Sequence, residues 1–217
     1  MTKNEIFPKM SEAIVAGDRD AARSLAADAV RSGLDLLEVI EQGYLPGIQK
    51  VGDLWERGEY FLPELISSAE AMKAAMAVLD PELNRKGVGT RMSGKVVIGT
   101  IEGDIHDIGK NLVASMLQAG GFEVFDLGAD VKLDRFIDKA EEVGAGMICL
   151  SALLTTTMMN QRRFITLLRD RGLRDKYKVL VGGAPASRKW AEEIGADGYA
   201  ENAVAAVKLA RSLAGRP

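Results

Sequence analysis

Residues 95–111 read KVVIGTIEGDIHDIGKN, and this stretch decides the fold class of the chain. Its first part, Lys95 to Thr100, is a short run of β-branched and apolar residues, which predicts a buried strand. Two glycines, Gly103 and Gly109, lie in the segment that follows, and a helix-length segment comes after them. The stretch therefore predicts a strand, a loop and a helix, which is the first part of a βαβ unit.

The same alternation continues to the end of the chain. Four more short apolar runs, the last of them weak, are separated by helix-length segments: Phe122 to Leu127, Met147 to Leu150, Lys178 to Val181 and Gly198 to Ala200. Near-continuous apolar strands alternating with helices are typical of a parallel sheet covered on both faces. We therefore expect a doubly wound α/β domain, with ligands bound beyond the carboxyl ends of its strands.

Residues 1 to about 80 have helical spacing instead. Residues Asp18, Gly33 and Gly58 are of types that suit caps and turns, and they divide this part into four or five predicted helices. Two apolar stripes recur in steps of three or four residues, and Pro46 marks a kink or a helix restart within the first of them. The stripes are formed by Leu37, Ile40, Tyr44, Ile48, Val51 and Trp55, and by Leu65, Ile66, Ala69, Met72, Met76 and Leu79.

A domain boundary is predicted between the two halves. Residues 81–94 read PELNRKGVGTRMSG and lose the apolar period, which is typical of a linker. We expect a helical domain over residues 1–88, with the linker starting at about residue 81, and an α/β domain over residues 89–217. The linker is also the predicted hinge between them.

The composition limits the kinds of partner. The chain has 217 residues, 47% of them hydrophobic, and a formal charge of −3 with both signs interspersed. This charge pattern disfavours a nucleic acid or an anionic membrane as partner. No apolar run reaches the length of a membrane span and the start lacks a signal-peptide layout, so we expect a cytoplasmic protein. The single cysteine, Cys149, lies in an apolar segment and is expected to be a buried thiol.

His106, the only histidine, lies in the first predicted βα loop. It is either a loop residue without a ligand or a metal ligand, whose second ring nitrogen could donate to the Asp104 carboxylate. A zinc site needs three or four protein ligands, which one histidine and one distant cysteine hardly supply. A metal bound by His106 is therefore expected to arrive in a macrocycle that fills its other positions. The glycine spacing matches neither common phosphate-binding loop.

Two later loops are further candidates. Small hydroxyl residues follow the third strand, from Ser151 to Thr157, where they can hydrogen-bond a ligand or cap the next helix. The fourth strand ends at Gly182 and Gly183, which either make a turn or clear space for a ligand.

Together these motifs resemble one family over nearly the whole chain. The motifs Asp104-Ile-His106-Asp-Ile-Gly109, then Ser151-Ala-Leu153, then Gly182-Gly183, are similar to those of the corrinoid-binding modules of cobalamin-dependent methyltransferases, methionine synthase included. The first helices resemble the methylamine and betaine group of corrinoid proteins. The resemblance implies a four-helix cap domain followed by a flavodoxin-like, doubly wound sheet of five parallel strands.

The resemblance also implies a cofactor and its contacts. The cofactor is cobalamin, as methylcobalamin or a related corrinoid, with its own base displaced and His106 as the lower cobalt ligand (base-off/His-on). Asp104, His106 and Thr157 are implied to form a proton-linked chain. The remaining implied contacts are the loop residues Ile105, Asp107, Ile108 and Gly109, the nucleotide-tail residues Ser151, Leu153, Thr155, Gly182, Gly183 and Ala184, and the cap residues Trp55, Leu62 and Leu65. Trp55 can also be an ordinary core residue on its stripe.

The function implied is that of a non-catalytic methyl carrier in one-carbon metabolism. Co(I) accepts a methyl group from a substrate:corrinoid methyltransferase, and methyl-Co(III) gives it to a second methyltransferase with tetrahydrofolate or coenzyme M as acceptor. A reductive activase is the third implied partner. Similarity of the first helices favours an N-methyl donor, although donor selectivity lies in the partner enzyme. The alternatives are a cobalamin-dependent regulator, the small subunit of a carbon-skeleton mutase and a flavodoxin-like domain without cofactor.

Overall fold

The computed structural model describes residues 3–85 and 93–215. The chain divides into two compact units, one built from its helical part and one that begins at Ser93. The first unit contains α1 (Lys3–Val15), α2 (Arg19–Arg31), α3 (Leu36–Glu38), a π-helical segment (Val39–Tyr44), α4 (Leu45–Glu56) and α5 (Leu62–Arg85). Because α3, the π-helical segment and α4 follow one another without interruption, the described part of the unit has four long helical segments, within the predicted four or five.

Local signals explain where these helices begin and end. The Asp18 side chain accepts a hydrogen bond from the Ala21 amide at 2.9 Å and caps the start of α2. Gly33 and Gly58, which follow α2 and α4, both have the left-handed backbone that favours glycine after a helix. Pro46 lies in the first turn of α4, just after the π-helical segment, where a proline removes no hydrogen bond of the α-helix.

Two predictions about α5 were wrong, one about where the helix ends and one about which of its side chains are buried. It continues through Pro81 to Arg85, so residues 81–85 are helical and not linker. Leu79 and Leu83 lie one turn apart and are both buried, and their packing outweighs the backbone hydrogen bond that a proline removes. The rest of the predicted linker and hinge, residues 86–92, lies outside the described residues. Ile66, predicted on the buried stripe, is 47% exposed.

The second unit contains a single sheet of five parallel strands in the order β2-β1-β3-β4-β5. The strands are β1 (Lys95–Thr100), β2 (Glu123–Asp126), β3 (Met147–Ser151), β4 (Lys178–Gly182) and β5 (Gly198–Tyr199). The helices are α6 (Ile108–Ala119), α7 (Leu133–Val143), α8 (Thr155–Asp170), α9 (Arg188–Ile194) and α10 (Ala203–Leu213). The predicted flavodoxin-like sheet is confirmed, and all five predicted strands are present with ends shifted by at most a few residues.

The sheet is buried on both faces. In β1 the consecutive side chains of Val96, Val97 and Ile98 are all buried, although successive residues of a strand point to opposite faces. Phe136 and Phe164, from α7 and α8, meet edge to face with ring centroids 5.7 Å apart on one face. Burial on both faces leaves the loops at the strand ends as the accessible part of the sheet.

The order of the strands determines which loops meet. The chain runs outward from β1 to β2 on one side and to β3 and β4 on the other, so the order reverses between β1 and β3. The register aligns Thr100 with Ser151 and Ser151 with Gly182 in one row at the carboxyl edge. The loops after β1, β3 and β4 therefore leave the sheet side by side, where ligands bind in such folds.

Candidate functional site

Asp104, in the loop after β1, has a side chain with no exposed surface and connects two loops. One of its oxygens, Oδ1, accepts hydrogen bonds from the His106 amide at 3.1 Å and from His106 Nδ1 at 2.8 Å. The other, Oδ2, accepts from Thr157 Oγ1 at 2.6 Å and from the amides of Leu153 and Leu154 at 2.7 and 3.3 Å. The structure thus brings together the three residues that the resemblance assigns to a chain, with Asp104 in the middle.

The Asp104 carboxyl is held ionised. Burial opposes its ionisation, but the hydrogen bonds donated by Thr157, Leu153 and His106 together outweigh this and hold the pKa of Asp104 well below its usual range. The carboxylate also lies at the start of α8, where the helix dipole favours negative charge. With Asp104 ionised, the proton between the two side chains stays on His106 Nδ1.

His106 is held at its inner nitrogen and open at its outer one. Its side chain is 47% exposed, and Nε2 has no protein partner among the described residues. With the proton on Nδ1, a neutral imidazole carries its lone pair on Nε2, which is the form that binds a metal. In residues 3–85 and 93–215 no three His, Cys, Asp or Glu side chains are grouped as metal ligands. The donor set therefore fits a metal that brings its other ligands with it, as the macrocycle argument predicts.

The His106 loop is fastened by residues that the sequence analysis did not identify. Thr100 Oγ1 donates to the His106 carbonyl at 2.9 Å. Asp130, from the loop after β2, accepts from the Gly103 amide at 2.7 Å, and Asn160, from α8, donates to the Glu102 carbonyl at 2.8 Å. Asp130 and Asn160 lie 27 and 58 residues from the groups they bind, so no local pattern could have indicated them, whereas Thr100 lies only six residues before His106.

Large apolar side chains surround the histidine. Ile105 and Ile108, on either side of it, are 76% and 85% exposed, and Leu153 is also exposed. Exposed apolar surface of this kind marks a site that a ligand or partner covers. Gly109 is exposed as well, and Asp107 is half-buried, with its carboxylate accepting from Asn111 Nδ2 at 3.1 Å. The predicted loop residues thus all lie at one accessible surface.

The hydroxyl residues after β3 were predicted either to bind a ligand or to cap α8. The N-cap of α8 is Leu154, which makes no side-chain capping bond, so no hydroxyl side chain caps this helix from that position. Thr157 is buried and donates to Asp104, while Thr155 is exposed and Ser151 is half-buried. The Ser151 hydroxyl has no hydrogen-bond partner among the described residues. Ser151 and Thr155 therefore remain available to a ligand.

Gly183 allows the loop after β4 to approach the loop after β3. Its φ of 109° is a backbone conformation that favours glycine, and a Cβ at this position would overlap the carbonyl oxygen of Ala152. Gly182 has ordinary space, since a Cβ there would lie 3.4 Å from the Ala200 carbonyl oxygen, and Ala184 is exposed. Of the two motif glycines, Gly183 is thus the one that the backbone requires.

In the helical unit, the predicted cap residues differ in exposure. Leu62 is exposed and Trp55 is half-buried, so both offer surface to a ligand. Leu65 is 1% exposed, and in this arrangement it belongs to the core of the unit and offers no surface. Phe61 and Ile66, which were not predicted as cap residues, are exposed beside Leu62. The exposed apolar face at the start of α5 is therefore formed by Phe61, Leu62 and Ile66.

Comparisons with known proteins agree with this geometry. A family model described as a B12 binding domain matches residues 94–208, and a second model with the same description matches residues 6–80. A corrinoid protein of Desulfitobacterium hafniense is 50% identical over 212 residues, which are 97% of this chain and 98% of that protein. Dimethylamine corrinoid protein 1 of Methanosarcina mazei is 47% identical over 212 residues, covering 98% and 97% of the two chains.

The chain belongs to the corrinoid proteins of methyltransferase systems. A solved structure, that of the methanol:cobalamin methyltransferase complex MtaBC from Methanosarcina barkeri, contains a chain that superposes on it with a TM-score of 0.84 at 29% identity. That match covers 99% of this chain and 81% of the other. In this corrinoid protein, none of the helices in the described part is both long and apolar enough to cross a membrane. The contacts of individual residues with the corrinoid remain predictions.

Proposed function

We propose that this corrinoid protein carries a methyl group between two partner enzymes, a substrate:corrinoid methyltransferase and a second methyltransferase with tetrahydrofolate or coenzyme M as acceptor. The bound corrinoid supplies the transfer chemistry, since its cobalt can accept a methyl group as Co(I) and release it from Co(III). The protein supplies the lower ligand, the slot for the nucleotide tail and an apolar cap. A reductive activase is the third proposed partner.

The observation that carries the proposal is the pair formed by Asp104 and His106. The ionised carboxylate keeps the proton on Nδ1, 2.8 Å away, and leaves the Nε2 lone pair toward the accessible surface. A ligating histidine in proteins is commonly oriented by such a carboxylate. His106 is therefore prepared to bind cobalt as the lower ligand, with the corrinoid's own base displaced.

We assign the other predicted contact residues to two parts of the cofactor site, the slot for the nucleotide tail and the cap. Ser151, Leu153, Thr155 and the loop from Gly182 to Ala184 border the row where β3 and β4 end, and we assign them to the nucleotide tail. In the helical unit, the exposed face at the start of α5 and Trp55 are assigned to the cap. A carrier must let its partners reach the cobalt, so the cap is proposed to open and close.

The names of the relatives support methyltransferases as the class of partner. One similar protein is named a dimethylamine corrinoid protein, and one structural neighbour comes from a complex with a methanol:cobalamin methyltransferase. We propose an N-methyl compound as the methyl donor, because curated relatives that match nearly the full length are dimethylamine and trimethylamine corrinoid proteins. The cytoplasm is the proposed location.

Reconstitution with cobalamin tests the proposal. The wild-type protein is expected to bind cobalamin with a visible spectrum that shows a displaced base and a histidine ligand. His106→Ala is expected to bind more weakly, with a changed spectrum and slowed methyl transfer to a partner. Asp138→Asn serves as the control beside it, because Asp138 is exposed on α7 and is not among the predicted corrinoid contacts. A His106→Ala protein with an unchanged spectrum and unchanged transfer would sink the assignment.

A further inference from the structure

Gln161, on the second turn of α8, is a fully buried polar side chain that none of the proposed contacts uses. Its Nε2 donates to the carbonyls of Leu150 and Gly182, each at 3.1 Å. These carbonyls lie at the carboxyl ends of β3 and β4, where the ladder between the two strands finishes. One amide group therefore joins the ends of β3 and β4, next to the pair that Ser151 and Gly182 form.

Trp190, on α9, fixes the orientation of this amide. Its Nε1 donates to Gln161 Oε1 at 2.9 Å. An indole N–H can only donate and a carbonyl can only accept, so the oxygen of Gln161 must face Trp190 and the nitrogen must face the carbonyls. Trp190 is itself held by packing, with the Arg162 guanidinium 4.7 Å from the ring centroid. The amide thus has one orientation, and it fastens α8, α9 and the two strand ends together.

Above this amide the two loops approach closely. The Ala152 amide donates to the same Gly182 carbonyl at 3.2 Å, and Gly183 passes against the Ala152 carbonyl, where a Cβ would not fit. A small shift of Gly182 would therefore change the separation of the loops that begin at Ser151 and at Gly183. The position of Gly182 depends in turn on Gln161.

We infer that Gln161, oriented by Trp190, is a positioning residue that sets the separation of the loops after β3 and β4 and so the fit of the corrinoid's nucleotide tail. The inference rests on the proposed function, because it takes the space bordered by Ser151 and Gly182 as the tail slot. The amide touches no ligand itself. It acts through the two carbonyls, so its loss affects the part of the corrinoid that enters the slot and spares the corrin ring near His106.

The experiment compares two corrinoids, cobalamin and cobinamide, which lacks the nucleotide tail. The variants are Gln161→Met, which removes the hydrogen bonds at similar volume, and Trp190→Phe, which keeps an aromatic ring but removes the donor that orients the amide, together with some ring volume. Arg169→Met is the matched control, since Arg169 also joins α8 to α9, through the Ile194 carbonyl at 3.1 Å, but about 12 Å farther along α8. Dissociation constants come from absorbance titrations, and thermal melting of each apo protein verifies folding.

Both Gln161→Met and Trp190→Phe are expected to weaken cobalamin binding by about tenfold, which corresponds to about 1.4 kcal/mol. Cobinamide binding is expected to stay within about twofold of wild type, and Arg169→Met is expected to leave both constants unchanged. Equal losses for the two corrinoids, or no loss for either, would overturn the inference and indicate a merely structural role. Equal affinity of the wild type for both corrinoids would also overturn it while leaving the proposed function intact. A wild-type chain that binds neither corrinoid would refute the proposed function instead.

Discussion

The substitution Asp104→Asn tests how the carboxylate controls the histidine. The side chain accepts five hydrogen bonds, two from His106 and three from the start of α8 and Thr157. An asparagine has one accepting oxygen, and the three donors near α8 favour placing it there. Its NH₂ group would then face His106 Nδ1, which must become the acceptor, and the proton would move to Nε2.

That exchange leaves the wrong ring nitrogen protonated for metal binding. Loss of a carboxylate that orients a ligating histidine typically costs 10- to 100-fold in metal affinity, or about 1.4 to 2.8 kcal/mol. We expect the fraction of cobalamin with histidine bound, measured from the visible spectrum of reconstituted protein, to fall accordingly. Urea denaturation of the apo protein verifies that the variant is folded.

The matched control is Asp138→Asn, which makes the same change at an exposed position of α7. Asp138 is not among the predicted corrinoid contacts, so the fraction of histidine-bound cobalamin should remain at the wild-type value. If folded Asp104→Asn protein also kept the wild-type fraction, the tautomer argument would be wrong.

Three further predictions concern the apo protein. Burial, and then the nearby Asp28 carboxylate, raise the pKa of Tyr44, so this side chain contributes stability below about pH 10 that is lost as the pH rises further. The difference in free energy of unfolding between wild type and Tyr44→Phe should therefore shrink from about pH 8 to about pH 11, and a constant difference would contradict the raised pKa. Burial raises the pKa of the Cys149 thiol to about 12, so iodoacetamide should alkylate it only after unfolding, as read by mass spectrometry, and rapid labelling of native protein would contradict this. Gly183→Ala should lower the free energy of unfolding by more than the ~1 to 2 kcal/mol expected from a left-handed backbone alone, because its Cβ would overlap Ala152. Gly94→Ala is the control in urea denaturation, because Gly94 has a similar φ of 112° and open space around its Cβ, and equal losses would exclude the overlap.

The strands could be predicted well because their signal is local. The run from Lys95 to Thr100 is apolar without interruption, and β1 has those bounds. The linker was placed too early because Pro81 is a strong local signal against helix, whereas the burial of Leu83 that sustains α5 depends on the packing of the unit. Propensity describes single residues, and tertiary packing outweighs it where apolar side chains can still be buried.

The residues of the candidate site also differ in how far the sequence could indicate them. His106 and Asp104 lie two residues apart, so the chemistry of their side chains was visible in one loop. Thr157 could be assigned only through the resemblance, because the fold brings it to Asp104 from 53 residues away. Gln161 gave no signal at all, since a glutamine on a helix is ordinarily exposed and its burial between two strand ends follows from the packing of α8.

Electron paramagnetic resonance of the cobalamin-bound protein in the Co(II) state tests the central claim most directly. His106 is the only histidine, so growth with ¹⁵N-labelled histidine labels one site. A bound ¹⁴N nucleus splits each cobalt line into a triplet, and a bound ¹⁵N nucleus splits it into a doublet. We predict triplets for unlabelled protein and doublets for labelled protein. Triplets that persist after labelling would show that the corrinoid's own base is the ligand, and lines without nitrogen splitting would show that no base is bound, and either result would contradict the assignment of His106.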